Sequence, residues 1–179
     1  MRARTRWFAG GVAVGLLAGG GTFAAASMGA HDAELEADDP VVARFIEESL
    51  ESGVRSVYDG GFTFYVGGGV ATFDCDGDLM PDLYLAGGAN EASLVRNTSD
   101  TAGPLAFEPV SAPAAELTGV TGAYPLDVDS DGVTDLAVLR VGENRLLRGE
   151  GGCAFTYVTD EWGLPVRDDW TAAFSATWE

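Results

Sequence analysis

The sequence predicts an all-β chain in which a unit of four short antiparallel strands occurs twice. Two observations lead to this prediction. A stretch with aspartates at positions 1, 3, 5 and 9 occurs at residues 74–82 and again 53 residues later, at 127–135. Short apolar runs bounded by glycine-rich turns flank both stretches, which indicates buried strands rather than helices. A period of about 50 residues with four strands per unit is typical of β-propeller blades.

The N-terminal 26 residues have the pattern of a secretory signal peptide. Three arginines precede an apolar, glycine-rich run at 7–21, and Ala24 to Ala26 fit a small-residue cleavage site. An uncleaved anchor is the alternative interpretation. The pattern predicts a secreted, periplasmic or cell-surface protein of a bacterial envelope, without a stable membrane span after cleavage. Residues 27–39 are small, polar and acidic, and we expect a disordered leader there.

Residues 40–66 are predicted to form a helix followed by a hairpin. An aspartate and a proline at 39–40 fit a helix start, and apolar residues then recur at near-helical spacing, so we expect a helix at 40–52. The runs 54–58 and 62–66 flank an Asp-Gly-Gly sequence, which is typical of a β-turn between two strands.

The rest of the chain is divided by its strand pattern into blades. We expect the first blade at 67–110, a linker at 111–120, the second blade at 121–160 and the beginning of a third at 161–179. Within the blades, the predicted strands are 70–73, 83–86, 93–96 and 105–110, then 122–126, 136–140, 145–148 and 153–158. Two blades leave open sheet edges and cannot close a ring. We therefore interpret the chain as an N-terminal fragment of a larger propeller.

The aspartate-rich stretches are predicted to be metal-binding loops. Eight of the 16 aspartates lie in these two nine-residue windows. Their carboxylates would repel one another without a cation, and a hard cation with about six to eight oxygen ligands, best Ca²⁺, fits them. We expect one ion per loop. The predicted ligands are Asp74, Asp76, Asp78, Asp82 and the Met80 carbonyl in the first loop, and Asp127, Asp129, Asp131, Asp135 and the Val133 carbonyl in the second.

Two alternatives to a strand-connecting calcium loop were considered. The first is an EF-hand, which requires a glutamate at position 12, where this chain has Leu85 and Val138. The second is an ordinary Asp-Gly hairpin turn that binds no metal. Position 6 is Gly132 in the second loop but Leu79 in the first. A sharp turn at that position favours glycine, so we expect weaker binding in the first loop, with Gly77 supplying the flexibility.

The residues from 67 to 84 and from 127 to 136 resemble FG-GAP/VCBS repeats, the blades of integrin-α-type β-propellers. The run at 51–54 before the first glycine-rich strand resembles a secreted bacterial branch that often carries an ASPIC/UnbV domain further on. The resemblance covers roughly residues 45–179. It implies a propeller of about seven blades, with calcium held between the first and second strands of a blade by the ligands named above.

Composition narrows the functional classes. The net charge is −18 and every basic residue is arginine, which argues against nucleic acid and anionic membranes as partners. The sole histidine, His31, lies in the leader, so a Ser-His-Asp device is excluded within these residues. We expect a non-enzymatic adhesion or binding module with structural calcium and an extracellular protein or carbohydrate as partner. The alternative is an envelope polysaccharide lyase or hydrolase.

Cys75 and Cys153 are the two cysteines, and the sequence leaves their pairing open. A disulfide is permitted in an exported protein. Because one cysteine lies in a metal loop and the other in an outer hairpin of the next blade, we favour partners elsewhere.

Overall fold

The computed structural model describes residues 43–165 and 167–177. The predicted signal peptide at 1–26, the leader at 27–39 and the first residues of the predicted helix lie outside these residues. The described residues from 44 onward cluster as one compact unit. In the described part of the chain, no helix is long and apolar enough to cross a membrane.

Two antiparallel sheets make up the fold. The strands of the first sheet, in spatial order, are β1 (Val70–Phe73), β2 (Asp82–Leu85), β3 (Ser93–Asn97) and β4 (Phe107–Val110). The strands of the second are β5 (Val120–Leu126), β6 (Asp135–Gly142), β7 (Arg145–Gly151) and β8 (Ala154–Tyr157). A two-residue strand, β9 (Asp169–Trp170), pairs with the far end of β6. The predicted all-β fold with four-stranded units is confirmed, and it fits a fragment of a propeller.

The aspartate-rich loops connect the first two strands of each sheet. Phe73 pairs with Asp82 across the first loop, and Leu126 pairs with Asp135 across the second. The ninth position of each loop is therefore also the first residue of the second strand. Each loop lies at the end of a hairpin, as the flanking apolar runs predict.

The hydrophobic core contains residues from both sheets. Its buried side chains include Phe73, Tyr84 and Leu94 from the first sheet and Val120, Leu136 and Leu147 from the second. The sheets approach most closely at their first strands, where the Gly69 amide donates to the Thr121 carbonyl at 3.1 Å. A Cβ atom on Gly69 would lie 2.8 Å from the Cα of Gly122, so this contact requires glycine.

The predicted helix at 40–52 is wrong over the residues that the structure describes. Residues 43–48 have no regular structure, and 49–53 form turns. The apolar side chains of the predicted helical face are exposed, with Phe45 at 96% and Ile46 at 80%. Most helical stability in proteins comes from packing an apolar face, and this face packs against nothing described here.

The predicted hairpin at 54–66 is also wrong. Residues 54–58 have no strand, and Phe62–Phe64 form a short 3-10 helix. Asp59 pairs instead with the turn after β2: its amide donates to the Gly87 carbonyl, and its carbonyl accepts from the Ala89 amide. A pairing partner that is distant in sequence therefore replaces the local hairpin.

Candidate metal centre

Hydrogen bonds to its own aspartates curl the first loop. The Asp74 carboxylate accepts the amides of Gly77 at 2.7 Å and Leu79 at 2.8 Å. The Asp78 carboxylate accepts the Met80 amide at 2.7 Å. This curl brings one carboxylate oxygen from each of Asp74, Asp76 and Asp78 within 4.8 Å of one another. Three of the four predicted carboxylate ligands of the first loop thus converge.

In the second loop the position-1 aspartate also accepts two loop amides, but from positions 5 and 6 rather than from positions 4 and 6. The Asp127 carboxylate accepts the amides of Asp131 at 3.1 Å and Gly132 at 3.0 Å. Its converging carboxylates are those of Asp127, Asp129 and Asp135. The Asp131 carboxylate accepts the Val133 amide, as Asp78 accepts the Met80 amide in the first loop, but Asp131 is not part of the converging group.

Positions 4 and 6 have left-handed backbone in both loops. The φ angles are 84° at Gly77 and 69° at Leu79, and 61° at Ser130 and 85° at Gly132. The sequence predicts that Gly77 supplies the flexibility that Leu79 lacks. The structure has left-handed backbone at both residues, so the bend at Gly77 does not replace the bend at Leu79. Each loop has a glycine at one of its two left-handed positions. The non-glycine residue is at position 6 in the first loop, Leu79, and at position 4 in the second, Ser130.

The position-9 aspartates connect each loop to the third strand of its sheet. Asp82 is fully buried, and its carboxylate accepts the amides of Cys75 and Asn97, both at 2.8 Å. Asp135 is 1% exposed and accepts the amides of Val128 at 2.7 Å and Gly149 at 2.9 Å.

The residue on the third strand differs between the sheets. A Cβ atom on Gly149 would collide with the Thr134 carbonyl oxygen. At the corresponding place, the Asn97 side chain donates to the Pro81 carbonyl at 3.1 Å.

Burial opposes ionisation of the position-9 carboxyls. It raises the pKa of Asp82 above its usual value, despite the opposing effect of the two backbone hydrogen bonds, and the Asp76 and Asp78 charges raise that pKa further. The pKa of Asp135 is raised by burial in the same way. At position 1, the hydrogen bond from the Leu79 amide lowers the pKa of Asp74. Any cation bound here would offset the cost of two ionised, buried carboxylates.

An arginine from the third strand contacts the position-3 aspartate of each loop. Arg148 donates from Nε to Asp129 Oδ2 at 3.0 Å, whereas Arg96 is 3.7 Å from Asp76. The sequences around Arg96 and Arg148 match between the two repeats, but this match does not indicate that the two side chains reach the loops. Sequence reasoning missed both.

Cys75 and Cys153 form a disulfide, with their Cα atoms 4.6 Å apart. The expectation that they have other partners is therefore wrong. The Cys153 amide also donates to the Cys75 carbonyl at 2.8 Å, so position 2 of the first loop is fixed to the turn between β7 and β8. Asp82 lies near the two sulfur atoms. Disulfide sulfurs do not bind hard cations as carboxylate oxygens do, so this grouping is not a second metal site.

The two loops are neighbours in space. A cavity of about 330 Å³ lies between them, lined by Asp74–Gly77 from the first loop and Gly132–Thr134 from the second. An ion in either loop would therefore be close to the other loop, and the disulfide beside this cavity fixes the distance between them.

The donor set suits a hard divalent cation. Each loop offers three converging carboxylates and no nitrogen or thiolate ligand, and this is the set that Ca²⁺ and Mg²⁺ prefer. Backbone amides orient the carboxylates of Asp74, Asp127 and Asp135, whereas Arg148 orients Asp129. The residues present thus fit calcium, the ion that the resemblance implies.

Comparison with known proteins gives a match to a repeat family. Residues 74–138 match a family model described as "FG-GAP-like repeat". The matched segment begins at the first aspartate of the first loop and ends in β6, just beyond the second loop. No curated protein and no solved structure matches the chain.

Proposed function

We propose, from the match of residues 74–138 to an FG-GAP-like repeat, that this chain is part of an exported, calcium-stabilised binding module built from propeller blades. The observation that carries the proposal is that each of the two loops gathers three carboxylates within 4.8 Å. Uncompensated negative charges at this separation are costly, and a bound ion would remove that cost. FG-GAP repeats are typically non-enzymatic, which favours binding over catalysis.

We assign one calcium ion to each loop. The converging carboxylates would bind it directly, and the remaining predicted ligands are Asp82 in the first loop, Asp131 in the second, and the carbonyls of Met80 and Val133. Water would complete the six to eight oxygens. We assign the ion a structural role in both loops. In the second loop it would join the end of the first hairpin to the third strand through Asp135, which converges with the other carboxylates and accepts the Gly149 amide.

The partner that we propose is an extracellular protein or carbohydrate. The large negative charge of the chain disfavours nucleic acid and anionic membranes. Export to a calcium-rich compartment follows from the signal-peptide pattern at 1–26, and the disulfide between Cys75 and Cys153 fits an oxidising compartment.

Calcium titration of the chelator-treated protein tests the proposal. We expect two bound ions by calorimetry, with Asp74→Asn removing one and Asp127→Asn the other. Asp100, an exposed carboxylate outside the loops, provides the control substitution Asp100→Asn, which should retain both ions. At a calcium concentration of 100 times Kd, binding would add about 2.7 kcal/mol per site and several degrees to the melting temperature. A melting temperature that is indifferent to chelator would refute the proposal.

The binding role needs its own measurement. The calcium-loaded protein is immobilised and exposed to a panel of envelope polysaccharides and extracellular proteins, and then tested again in chelator. Retention of at least one member that is lost in chelator is expected. Turnover of a polysaccharide without stable binding would instead favour the enzymatic alternative.

A further inference from the structure

Arg148 contacts the second loop through one of its converging carboxylates. Its Nε donates to Asp129 Oδ2 at 3.0 Å, and Asp129 is one of the three aspartates that would hold the ion. A fixed positive charge therefore lies beside the calcium position, on the side of β7.

Two further contacts hold this guanidinium in place. Its terminal nitrogen donates to Glu161 at 2.9 Å, and its carbon lies 5.0 Å from the ring centre of Trp162. The side chain is only 27% exposed. An arginine held by a carboxylate on each side and an aromatic ring has little freedom to move away when an ion arrives.

The first loop provides an internal comparison. Arg96 occupies the equivalent place on β3, but it lies 3.7 Å from Asp76 and 3.6 Å from Glu108. Its side chain is 44% exposed. Solvent screens this second arginine more strongly, and its salt bridges are longer.

We propose that Arg148 is a positioning residue that holds Asp129 ready in the ion-free second loop and lowers the calcium affinity of that loop by charge repulsion. The proposal rests on the calcium-binding function proposed above. Without calcium, the arginine offsets part of the repulsion among the loop carboxylates and keeps the loop formed. With calcium, the same charge opposes the ion across the shared carboxylate. Arg148 thus stabilises the ion-free loop and lowers its calcium affinity.

The test isolates the second loop in the full chain with Asp74→Asn, which disables the first site, and adds Arg148→Gln or Arg148→Lys. We expect Arg148→Gln to bind calcium about fivefold to tenfold more tightly, the size expected for one charge a few ångströms from a divalent ion in a largely aqueous setting. The same variant should melt at a lower temperature in chelator. Arg148→Lys retains the charge and should stay within about twofold of the parent Kd.

Salt dependence and Arg96→Gln complete the test. The gain in affinity of Arg148→Gln should shrink as ionic strength rises, because added salt screens the repulsion. Arg96→Gln, measured with Asp127→Asn in place of Asp74→Asn, should change the first-loop Kd by less than about twofold.

The outcomes separate this inference from the proposed function. A purely structural arginine would make Arg148→Gln bind calcium more weakly as well as melt earlier, and that result overturns the inference while leaving calcium binding intact. Equal tightening by Arg148→Gln and Arg148→Lys also overturns it, because charge would then not be the cause. Absence of calcium binding in the unmodified protein would refute the proposed function itself.

Discussion

The two aspartate loops reach the same backbone conformation by different means. Both bend at positions 4 and 6 and both fix position 9 to the third strand, yet the first has leucine where the second has glycine. A disulfide holds the first loop at position 2, whereas an arginine held by Glu161 and Trp162 contacts position 3 of the second. The nine-position pattern therefore defines the loop conformation, while the contacts that stabilise it, a disulfide in one loop and an arginine in the other, come from the surrounding blade.

The loops also differ in which carboxylates converge. Position 5 completes the group in the first loop, and position 9 completes it in the second. Asp82 lies beside the disulfide and outside the converging group of the first loop. The disulfide and the position of the ninth residue are therefore linked in that loop.

Removal of the disulfide should affect stability most and should affect the loops unequally. Cys75→Ser with Cys153→Ser opens a link between residues separated by 78 positions, and a loss of about 4 kcal/mol in the free energy of unfolding is expected from chain entropy. Urea denaturation measures this loss. Calcium affinity should fall in the first loop and stay within twofold in the second. Reduced wild-type protein is the control, and an equal loss in both loops would contradict the comparison.

Removal of a position-9 carboxylate should be the next most severe change. Asp82→Ala and Asp135→Ala each leave two backbone amides without their partner, and each should lower the free energy of unfolding in chelator by roughly 2–4 kcal/mol. Calcium should then distinguish the variants, because Asp135 belongs to the converging group and Asp82 does not. Asp135→Ala should weaken calcium binding more. Similar losses of affinity would show that Asp82 is as direct a ligand.

Acidification should stabilise the ion-free protein. Burial raises the pKa of Asp82 and Asp135, so the folded state binds their protons more tightly than the unfolded state does. Their contribution is greatest below the unfolded pKa, about 4, and declines as pH rises through the folded pKa. Asp74, whose pKa is lowered, loses its contribution only below that range. The melting temperature in chelator should therefore rise as the pH falls from 7 towards the unfolded pKa.

Calcium and two variants check the cause of that pH dependence. Saturating calcium should abolish or reverse the rise, because protons then compete with the ion for the carboxylates. Asp135→Asn should reduce the slope more than Asp100→Asn, which removes an exposed charge of the same sign. Equal slopes in these two variants would attribute the effect to overall charge alone. The change in stability with pH should be smaller than the loss caused by Asp82→Ala or Asp135→Ala, because an ionised carboxylate retains its hydrogen bonds.

Substitution at position 6 should give the smallest effect and make the loops more alike. Leu79 has a φ of 69° and is 89% exposed, so its side chain adds strain without burial. Leu79→Gly should raise the free energy of unfolding by about 0.5–1 kcal/mol and tighten first-loop calcium binding. Chemical denaturation and calorimetry measure the two effects. Gly132→Ala, the matched change in the second loop, should have the opposite sign.

The strands and loops could be predicted from the sequence because their signals are local. The strands predicted beside the loops, at 70–73, 83–86, 122–126 and 136–140, each form within two residues of their expected bounds. The family resemblance is confirmed by the match at 74–138. Convergence of three carboxylates in each loop agrees with the predicted aspartate spacing, while the ligand assignments stay predictions.

The remaining features depend on contacts between distant parts of the chain. Near-helical apolar spacing at 40–52 had no surface to pack against, so Phe45 and Ile46 stay exposed. The Cys75–Cys153 disulfide depends on how closely the second blade approaches the first loop. The arginine contacts likewise depend on the position of the third strand beside the loop, which residue spacing does not specify.

The third strand of each sheet contains an amide that donates to a position-9 carboxylate, at Asn97 in one sheet and Gly149 in the other. Exchange of these two amide hydrogens with deuterium should therefore slow when the adjacent loop fills. The molecule carries a separate reporter for each ion, which NMR can follow without labels or substitutions in the loops.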